Sequence, residues 1–427
     1  MESFEAVQGI RAADLADHYG TPLYVYDGEL LAGAVRSLAE ALPRPMEIFY
    51  SLKANPNSSV CSLLFAHGAH AEVSSLVELR TARTAGARPE NIIFLGPGKN
   101  AEDIRACVQG RVYAIVCESW EELELIEATA RQAGLRQRVL LRINPSFGGA
   151  GSRLAMGGKP RQFGIDEEQV LAGKDRLSAL THAVPLGVHV YLGTRILDAA
   201  AIVENTAQVL ALAERIAAAT GIELEAVDVG GGLGVAYFEN EQDLDLDALR
   251  AGLTPVVGDF ARRHPRTRLL LESGRFLTAR AGAYLVRVQY VKESRDTWFA
   301  VTDGGTHHHM AAVGVGSYAR RNFPVAAVAG DGAGDGAGPE RRWHITGPLC
   351  TPEDTLARGV PLPGLAPGDV LAVLRSGAYG PTASPGLFLS HGFPAEVLVH
   401  EGRPLLVRDR DTADDLLRKQ RHHQFVQ

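Results

Sequence analysis

Between residues 47 and 272 the chain repeats one pattern: a short run of apolar, often β-branched residues, a turn, and then a longer stretch with helical spacing. The short runs lie at 47–51, 70–74, 91–95, 112–117, 138–143, 187–192, 224–229 and 268–272. Runs of this length, bounded by turn residues and not strictly alternating, mark strands buried on both faces. The stretches between them carry helix signals. Ser119-Trp120-Glu121-Glu122 has the spacing of a capping box opening a helix that runs toward Gly134, and the alanine-rich residues 199–220 read as another helix. Eight strand-then-helix repeats over about 230 residues predict a (β/α)8 barrel, with a doubly wound open sheet as the alternative.

After residue 278 the apolar period drops to two. Residues 283–291 and 298–301 alternate like half-exposed strands, and 395–407 read as a hairpin turning at Glu401-Gly402. The expected architecture is therefore α/β: a (β/α)8 barrel over residues 30–280, followed by an all-β, sandwich-like domain over 281–427. The N-terminal segment 1–29, with strand-like residues 22–26, is expected to join the second domain. Residues 329–338 are a low-complexity Gly/Ala/Asp stretch that reads as a mobile surface loop, and the polar tail 418–427 reads as frayed.

A barrel places its chemistry at the C-terminal ends of its strands. Lys53 follows the first strand, with Asn55-Pro56-Asn57 stopping the run. Partly desolvated there, it is an amine nucleophile for an aldehyde; its plain alternative is a surface lysine with a packed stem. His189 and Tyr191, two apart, are expected at the end of the sixth strand on one face. Gly230, Gly231 and Gly232 follow the seventh strand, where backbone N–H groups can cradle an anion, or simply turn tightly. Arg275 can complete a phosphate site or pair on the surface. Glu272 ends the eighth strand, where a carboxylate can keep a pyridine nitrogen protonated. A strand-end lysine, an anion cradle and a strand-end acid together describe a pyridoxal phosphate site.

Composition changes little in this picture. With 427 residues, 46% hydrophobic and 22% charged, the chain has enough apolar mass for two cores and reads as a globular protein. A net charge of −7 gives no reason to expect a nucleic-acid partner. The first residues lack the basic flank and apolar core of a signal peptide and no apolar run is long enough to span a bilayer, so a cytoplasmic location without membrane attachment is expected. The four cysteines, Cys61, Cys107, Cys117 and Cys350, have no C-x-x-C spacing, which argues against a zinc site or a disulfide framework. The first three read as small core residues.

Five motifs then carry a resemblance across nearly the whole chain. They are Tyr50-Ser51-Leu52-Lys53-Ala54-Asn55, residues 228–234, Glu272-Ser273-Gly274-Arg275, residues 347–354 and Gly377-Ala378-Tyr379-Gly380. In this order they resemble the alanine-racemase-fold pyridoxal phosphate decarboxylases, which act on diaminopimelate, ornithine and arginine. The resemblance implies pyridoxal phosphate as cofactor, a barrel plus a β-sandwich domain, and a homodimer with shared active sites. It implies Lys53 as the cofactor lysine, Gly230 to Gly232, Arg275 and Tyr379 as phosphate contacts, and Glu272 as the pyridine partner. Cys350 and Asp354 are implied as a catalytic pair delivered from the neighbouring subunit, with Cys350 the proton donor. Arg142 is implied in electrostatic support.

The departures bear on the substrate. Where the family has a ring-stacking histidine within His-x-Gly-Ser, this chain reads Tyr191-Leu192-Gly193-Thr194. Tyr191 can stack by its aromatic face and Thr194 keeps a hydroxyl for the phosphate, while His189 is the alternative ring partner. The diaminopimelate enzymes carry an acid just after the catalytic cysteine; here Thr351 stands there, which argues against free diaminopimelate. Residues 303–310, with His307-His308-His309, resemble a subgroup that acts on amino acids tethered to acyl carrier proteins in natural-product pathways. The expected activity is thus α-decarboxylation of a carrier-tethered acidic amino acid. The alternatives are decarboxylation of a free diamino acid, racemisation, and cofactor binding without catalysis. Three consecutive histidines alternate faces in an extended chain and make a poor metal site, so they are expected to shape the mouth of the active site. Arg320, Arg321, Arg341 and Arg342 are either contacts for an acidic carrier protein or plain solvated surface.

Overall fold

Strand pairing runs in a ring. The computed structural model describes residues 4–151, 154–155, 160–313, 321–329 and 339–425. Its eight central strands are β1 (Met46–Ser51), β2 (His70–Val73), β3 (Ile92–Phe94), β4 (Ala114–Cys117), β5 (Gln137–Asn144), β6 (Ala183–His189), β7 (Ala226–Asp228) and β8 (Arg268–Ser273). Each pairs in parallel with the next, and β8 pairs with β1. A doubly wound sheet would leave two edges; this one closes as a (β/α)8 barrel, the first of the two alternatives read from the sequence.

Inward side chains fill the ring. Phe49, Ile93, Tyr113, Val116, Leu140, Leu186 and Leu270 pack together with almost no exposure. Burying each large side chain stabilises the fold by about 1.5–3 kcal/mol before entropy is counted. Caps set where the outer helices begin. Asn57, Ser75, Ser119, Asp198 and Asp245 each accept a backbone N–H of the helix they precede. The helix Ala199–Thr220 ends on Gly221 in the left-handed region, φ 82°. At Ser119 the expected capping box is modified: Ser119 Oγ accepts from Glu122 N, but Glu122 Oε2 accepts from Glu118 N at 2.9 Å, one residue before the cap.

The sixth strand departs from its predicted span of 187–192. It begins at Ala183 and ends at His189, because a bulge between Pro185 and Gly187 breaks the apolar pattern and the chain leaves the barrel after Val190 N donates to Asp228 O. Gly187 is required at that crossing. With φ 149°, a Cβ there would lie 1.7 Å from Ala226 O.

The chain divides into two compact units, Leu31–Leu277, which holds the barrel, and Met1–Leu30 with Thr278–Gln427. In the second unit the N-terminal strand Leu23–Asp27 pairs antiparallel with Gly282–Ser294 and parallel with Ala395–His400. The sheet continues through Thr297–Thr302, Arg341–Thr346 and Thr355–Leu362 on one side and Arg403–Arg408 on the other. Two tight hairpins shape it. Glu401 and Gly402 turn the hairpin expected there, and Arg295 with Asp296 turn the longer one at residues 282–302; all four have positive φ, as a two-residue turn matching strand twist demands. The low-complexity residues 330–338 and Arg320 lie outside the described residues. Among the described residues no helix is long and apolar enough to cross a membrane.

Candidate active site

Lys53 stands where β1 stops. Tyr50 OH donates to Asn55 O at 2.7 Å, and Asn57 caps the following helix by accepting from Ser59 N, so the loop carrying Lys53 is pinned on both sides. Its amine is 3.2 Å from Oε1 and 3.4 Å from Oε2 of Glu72, on the neighbouring strand β2. The lysine side chain is 38% exposed whereas that of Glu72 is fully buried. The environment thus perturbs the acid. Burial pushes the Glu72 carboxyl up to about 7, with the Lys53 charge opposing and the Glu272 charge adding to the rise. Sequence reading missed Glu72, although an acid inside the apolar strand His70-Ala71-Glu72-Val73 was the available signal.

Across the barrel mouth the next polar groups sit on consecutive strands. Register places His189 of β6 beside Arg142 of β5 and Asp228 of β7. His189 Nε2 is 2.9 Å from Glu272 Oε1, both side chains being buried. Ligand-type atoms of His189, Asp228 and Glu272 all lie within 4.8 Å of one another. Two buried acids cannot both ionise freely at this spacing. Burial works to raise Glu272, but the His189 imidazole, then Lys53 and Arg142, hold its carboxyl below the ordinary value; Asp228 is pushed well up by burial and by Glu272. Glu272 is therefore the acid that carries the charge. Arg142 is itself fixed by Glu118 at 3.0 Å, which also accepts Gly96 N. His189 Nδ1 and Asp228 Oδ2 are buried without a hydrogen-bond partner among the described residues.

Because β6 ends at His189, Tyr191 is not on a strand face with it, contrary to the expectation. His189 is fully buried against Glu272, while the half-buried Tyr191 ring lies with its centroid 5.7 Å from Lys53 Nζ. Thr194 lies just beyond, in the short pair Gly193–Thr194 with Leu154–Ala155.

The glycine loop after β7 is wedged between its neighbours. Gly230 N donates to Asp228 Oδ1, and Gly230 O accepts Glu272 N at 2.7 Å. A Cβ at Gly231 would sit 1.8 Å from Glu272 O, and one at Gly232 would sit 2.2 Å from Gly193 O. The tight-turn reading therefore holds alongside any anion-binding role. Gly230 and Gly232 also take positive φ, 71° and 94°. Arg275, just past β8, donates to Tyr237 OH at 3.1 Å.

Cys350, Asp354 and Tyr379 belong to the β-rich unit. Cys350 is exposed, whereas Cys61, Cys107 and Cys117 are buried, as their apolar surroundings in the sequence suggest. Asp354, expected to work beside Cys350, is only 2% exposed, and its carboxylate accepts from Thr306 N and from Leu349 N of its own loop. Tyr379 holds φ 56°, a left-handed backbone that a bulky residue adopts only where the surroundings impose it. The histidines are not extended: His308 N and His309 N both donate to Gly305 O, making a turn in which all three rings are buried. Burial lowers their pKa values to about 4 for His307 and about 3 for His308 and His309, so they are neutral imidazoles. Of the arginines read as carrier contacts, Arg341 stacks over Trp298 at 3.8 Å and Arg342 donates to Gly359 O, while Arg321 is half-buried.

Residues 30–279 match the pyridoxal-binding domain of the pyridoxal-dependent decarboxylases. The chain belongs to that family. The decarboxylase is 39% identical over 411 residues to the L-glutamyl-[BtrI acyl-carrier protein] decarboxylase of Niallia circulans, covering 95% of each chain. It is 33% identical over 420 residues to the diaminopimelate decarboxylase of Methanothermobacter thermautotrophicus, covering 97% of this chain and 95% of that one. Among solved structures, that of Helicobacter pylori diaminopimelate decarboxylase complexed with L-lysine superposes with a TM-score of 0.85 at 28% identity, covering 95% of this chain and 98% of that chain. The protein is thus a pyridoxal phosphate-dependent amino-acid decarboxylase. The barrel-mouth donor set fits that cofactor: an amine for its aldehyde, a buried acid held ionised for its ring nitrogen, and a left-handed glycine loop for its phosphate.

Proposed function

We propose that this decarboxylase removes the α-carboxylate of an acidic amino acid, such as a glutamyl or aspartyl thioester, while it is tethered to an acyl carrier protein. One observation carries the choice of substrate. Thr351 follows Cys350 in a chain that is 39% identical to a glutamyl-carrier-protein decarboxylase and 33% identical to a diaminopimelate decarboxylase. A neutral Thr351 offers no charge to the distal ammonium of a free diamino acid, so specificity for that substrate lacks its electrostatic term.

Pyridoxal phosphate, when bound, supplies the electron sink for the pair left behind by departing CO2. The residues have separable tasks around it. Lys53 Nζ would be the amine that holds the aldehyde, and Glu72 would exchange the proton on that nitrogen. Glu272 keeps the ring nitrogen charged, and His189, spent on Glu272, orients it rather than stacking. Tyr191, next to Lys53, is the aromatic face for the ring. Gly230 to Gly232, Thr194, Arg275 and Tyr379 would hold the phosphate through N–H, hydroxyl and guanidinium donors. Cys350 donates a proton to the α-carbon once CO2 has left. The assembly is a homodimer in which Cys350 serves the barrel of the neighbouring subunit.

Incubating the cofactor-loaded enzyme with glutamyl-loaded and aspartyl-loaded carrier protein, and separately with free glutamate, diaminopimelate, ornithine and lysine, tests this reading. The expected result is CO2 release with the matching mass loss on a loaded carrier. Release from a free diamino acid alone overturns the substrate. Inversion of the α-carbon without CO2 points to racemisation.

A further inference from the structure

The turn that carries Cys350 is closed on a single carboxylate. Asp354 Oδ1 accepts Thr306 N at 2.7 Å and Thr306 Oγ1 at 2.9 Å, while Oδ2 accepts Leu349 N, the residue before Cys350, at 2.7 Å. The Asp354 backbone adds two more ties: its carbonyl accepts Gly347 N and its N–H donates to Thr351 O. Space for this carboxylate exists only because two neighbours lack side chains. A Cβ on Gly305 would lie 2.3 Å from Oδ1, and one on Gly347 would lie 2.4 Å from Oδ2. The side chain is 2% exposed while Cys350, four residues earlier, is exposed.

A carboxylate with three N–H or O–H donors at hydrogen-bonding distance and almost no exposure is poorly placed to exchange a proton with a substrate. Building on the assignment of Cys350 as proton donor, we infer that Asp354 is a positioning residue: it fixes the Cys350 turn to the Gly305-Thr306 backbone and acts on the reaction only through where it holds the thiol. The Gly305–His309 turn becomes the anvil of that clamp. Through Thr306 it connects the histidine turn to the placement of Cys350.

Two measurements separate this inference from the reading beneath it. Cys350 is the exposed thiol of the chain, the other three being buried, so the rate of alkylation by iodoacetamide, followed by peptide mass spectrometry, reports the setting of this turn without any turnover. Asp354→Asn keeps the shape but replaces one acceptor with a donor facing Leu349 N or Thr306. It is expected to change the Cys350 alkylation rate severalfold and to lower kcat by about ten- to a hundredfold with little change in KM. Thr306→Val removes only the hydroxyl bond and is expected to shift both in the same direction by less, which keeps the test open if Asp354→Asn folds poorly. In a Cys350→Ala background, Asp354→Asn is expected to cost no further kcat, since the thiol it places is gone. An unchanged alkylation rate in both variants overturns the positioning role. So does an equal loss of kcat from Asp354→Asn with and without Cys350, which would make Asp354 act for itself. Full turnover by Cys350→Ala alone instead refutes the proton-donor reading, whatever the alkylation rates show.

Discussion

Lys53, in the turn that ends β1, faces Glu72 of the neighbouring strand β2, amine to carboxylate at 3.2 Å, with the acid fully buried and the lysine not. The acid bears the strain of the pair. Its folded pKa of about 7 lies above the ordinary 4.5, so the folded state gains from Glu72 below pH 4.5, and that gain is lost as pH rises through about 7. Glu72→Gln is therefore expected to raise the melting temperature of the cofactor-free protein relative to wild type at about pH 8, with the advantage shrinking toward about pH 5. Thermal melts at the two pH values decide it; a pH-independent difference would show that Glu72 does not titrate in this window. When cofactor is added to the cofactor-free protein, the same variant is expected to slow its capture by Lys53, read as slower growth of the visible absorbance band.

Glu272 is held ionised by His189 at 2.9 Å even though burial opposes it. Glu272→Gln keeps the volume and removes the charge. It is expected to lower kcat by about 10²–10³ while cofactor still binds, because the lost interaction matters most when negative charge develops on the ring. Spectral titration with cofactor and steady-state decarboxylation check the two halves. A variant that binds cofactor and turns over as wild type would remove Glu272 from the chemistry.

Much of this arrangement is legible in the sequence, and the parts that are not have physical causes. Each of the eight barrel strands is buried on both faces, which leaves a near-continuous apolar signature, and Lys53 and Glu272 were visible as charges ending such runs. β6 was misplaced because Pro185 and the Gly187 bulge interrupt the run where strand seven approaches too closely for a side chain. Glu72 escaped notice because one acid in a four-residue strand looks like an exposed alternation, and only closure of the barrel turns it inward. The three histidines were read as an extended segment. The preceding glycines instead allow a turn that buries all of them, a tertiary effect that spacing does not encode.

Gly231 tests how little room the cofactor loop has. Its absent Cβ would meet Glu272 O at 1.8 Å and Glu272 C at 2.8 Å, both backbone atoms that cannot move without shifting the end of β8. Gly231→Ala is expected to cost more than tenfold in cofactor affinity and to lower stability by about 1–3 kcal/mol, in the manner of an overpacked core site. Gly221→Ala is the comparison: its φ is positive, 82°, as that of Gly231 is not, but nothing lies within 4 Å of the added carbon, so stability alone should fall. Equal cofactor affinity in Gly231→Ala and wild type would mean that the loop yields and that its tightness serves no binding role.

At the opposite end of the barrel from the chemistry, Glu47 of β1 joins three strands by accepting two bonds from Arg268 of β8, at 2.8 and 2.6 Å, and one contact from His70 of β2 at 3.0 Å. Arg268 also stacks over the Tyr113 ring at 4.2 Å. Burial alone would raise the acid, but the Arg268 and His70 bonds and charges hold it at about 2. The folded pKa lies below the ordinary 4.5, so the stabilisation is present above pH 4.5 and is lost as pH falls toward about 2. Partial exposure screens the pair, which leaves about 1–2 kcal/mol for Glu47→Gln to remove at neutral pH. Urea unfolding of wild type and variant should therefore differ at about pH 7 and converge near about pH 2. Turnover at moderate temperature should be unchanged, because among the described residues the bonds of this cluster stay at the far end of the barrel from Lys53 and Glu272. A stability difference that persists undiminished into acid would show that lost packing, rather than the Glu47 charge, is what the barrel end depends on.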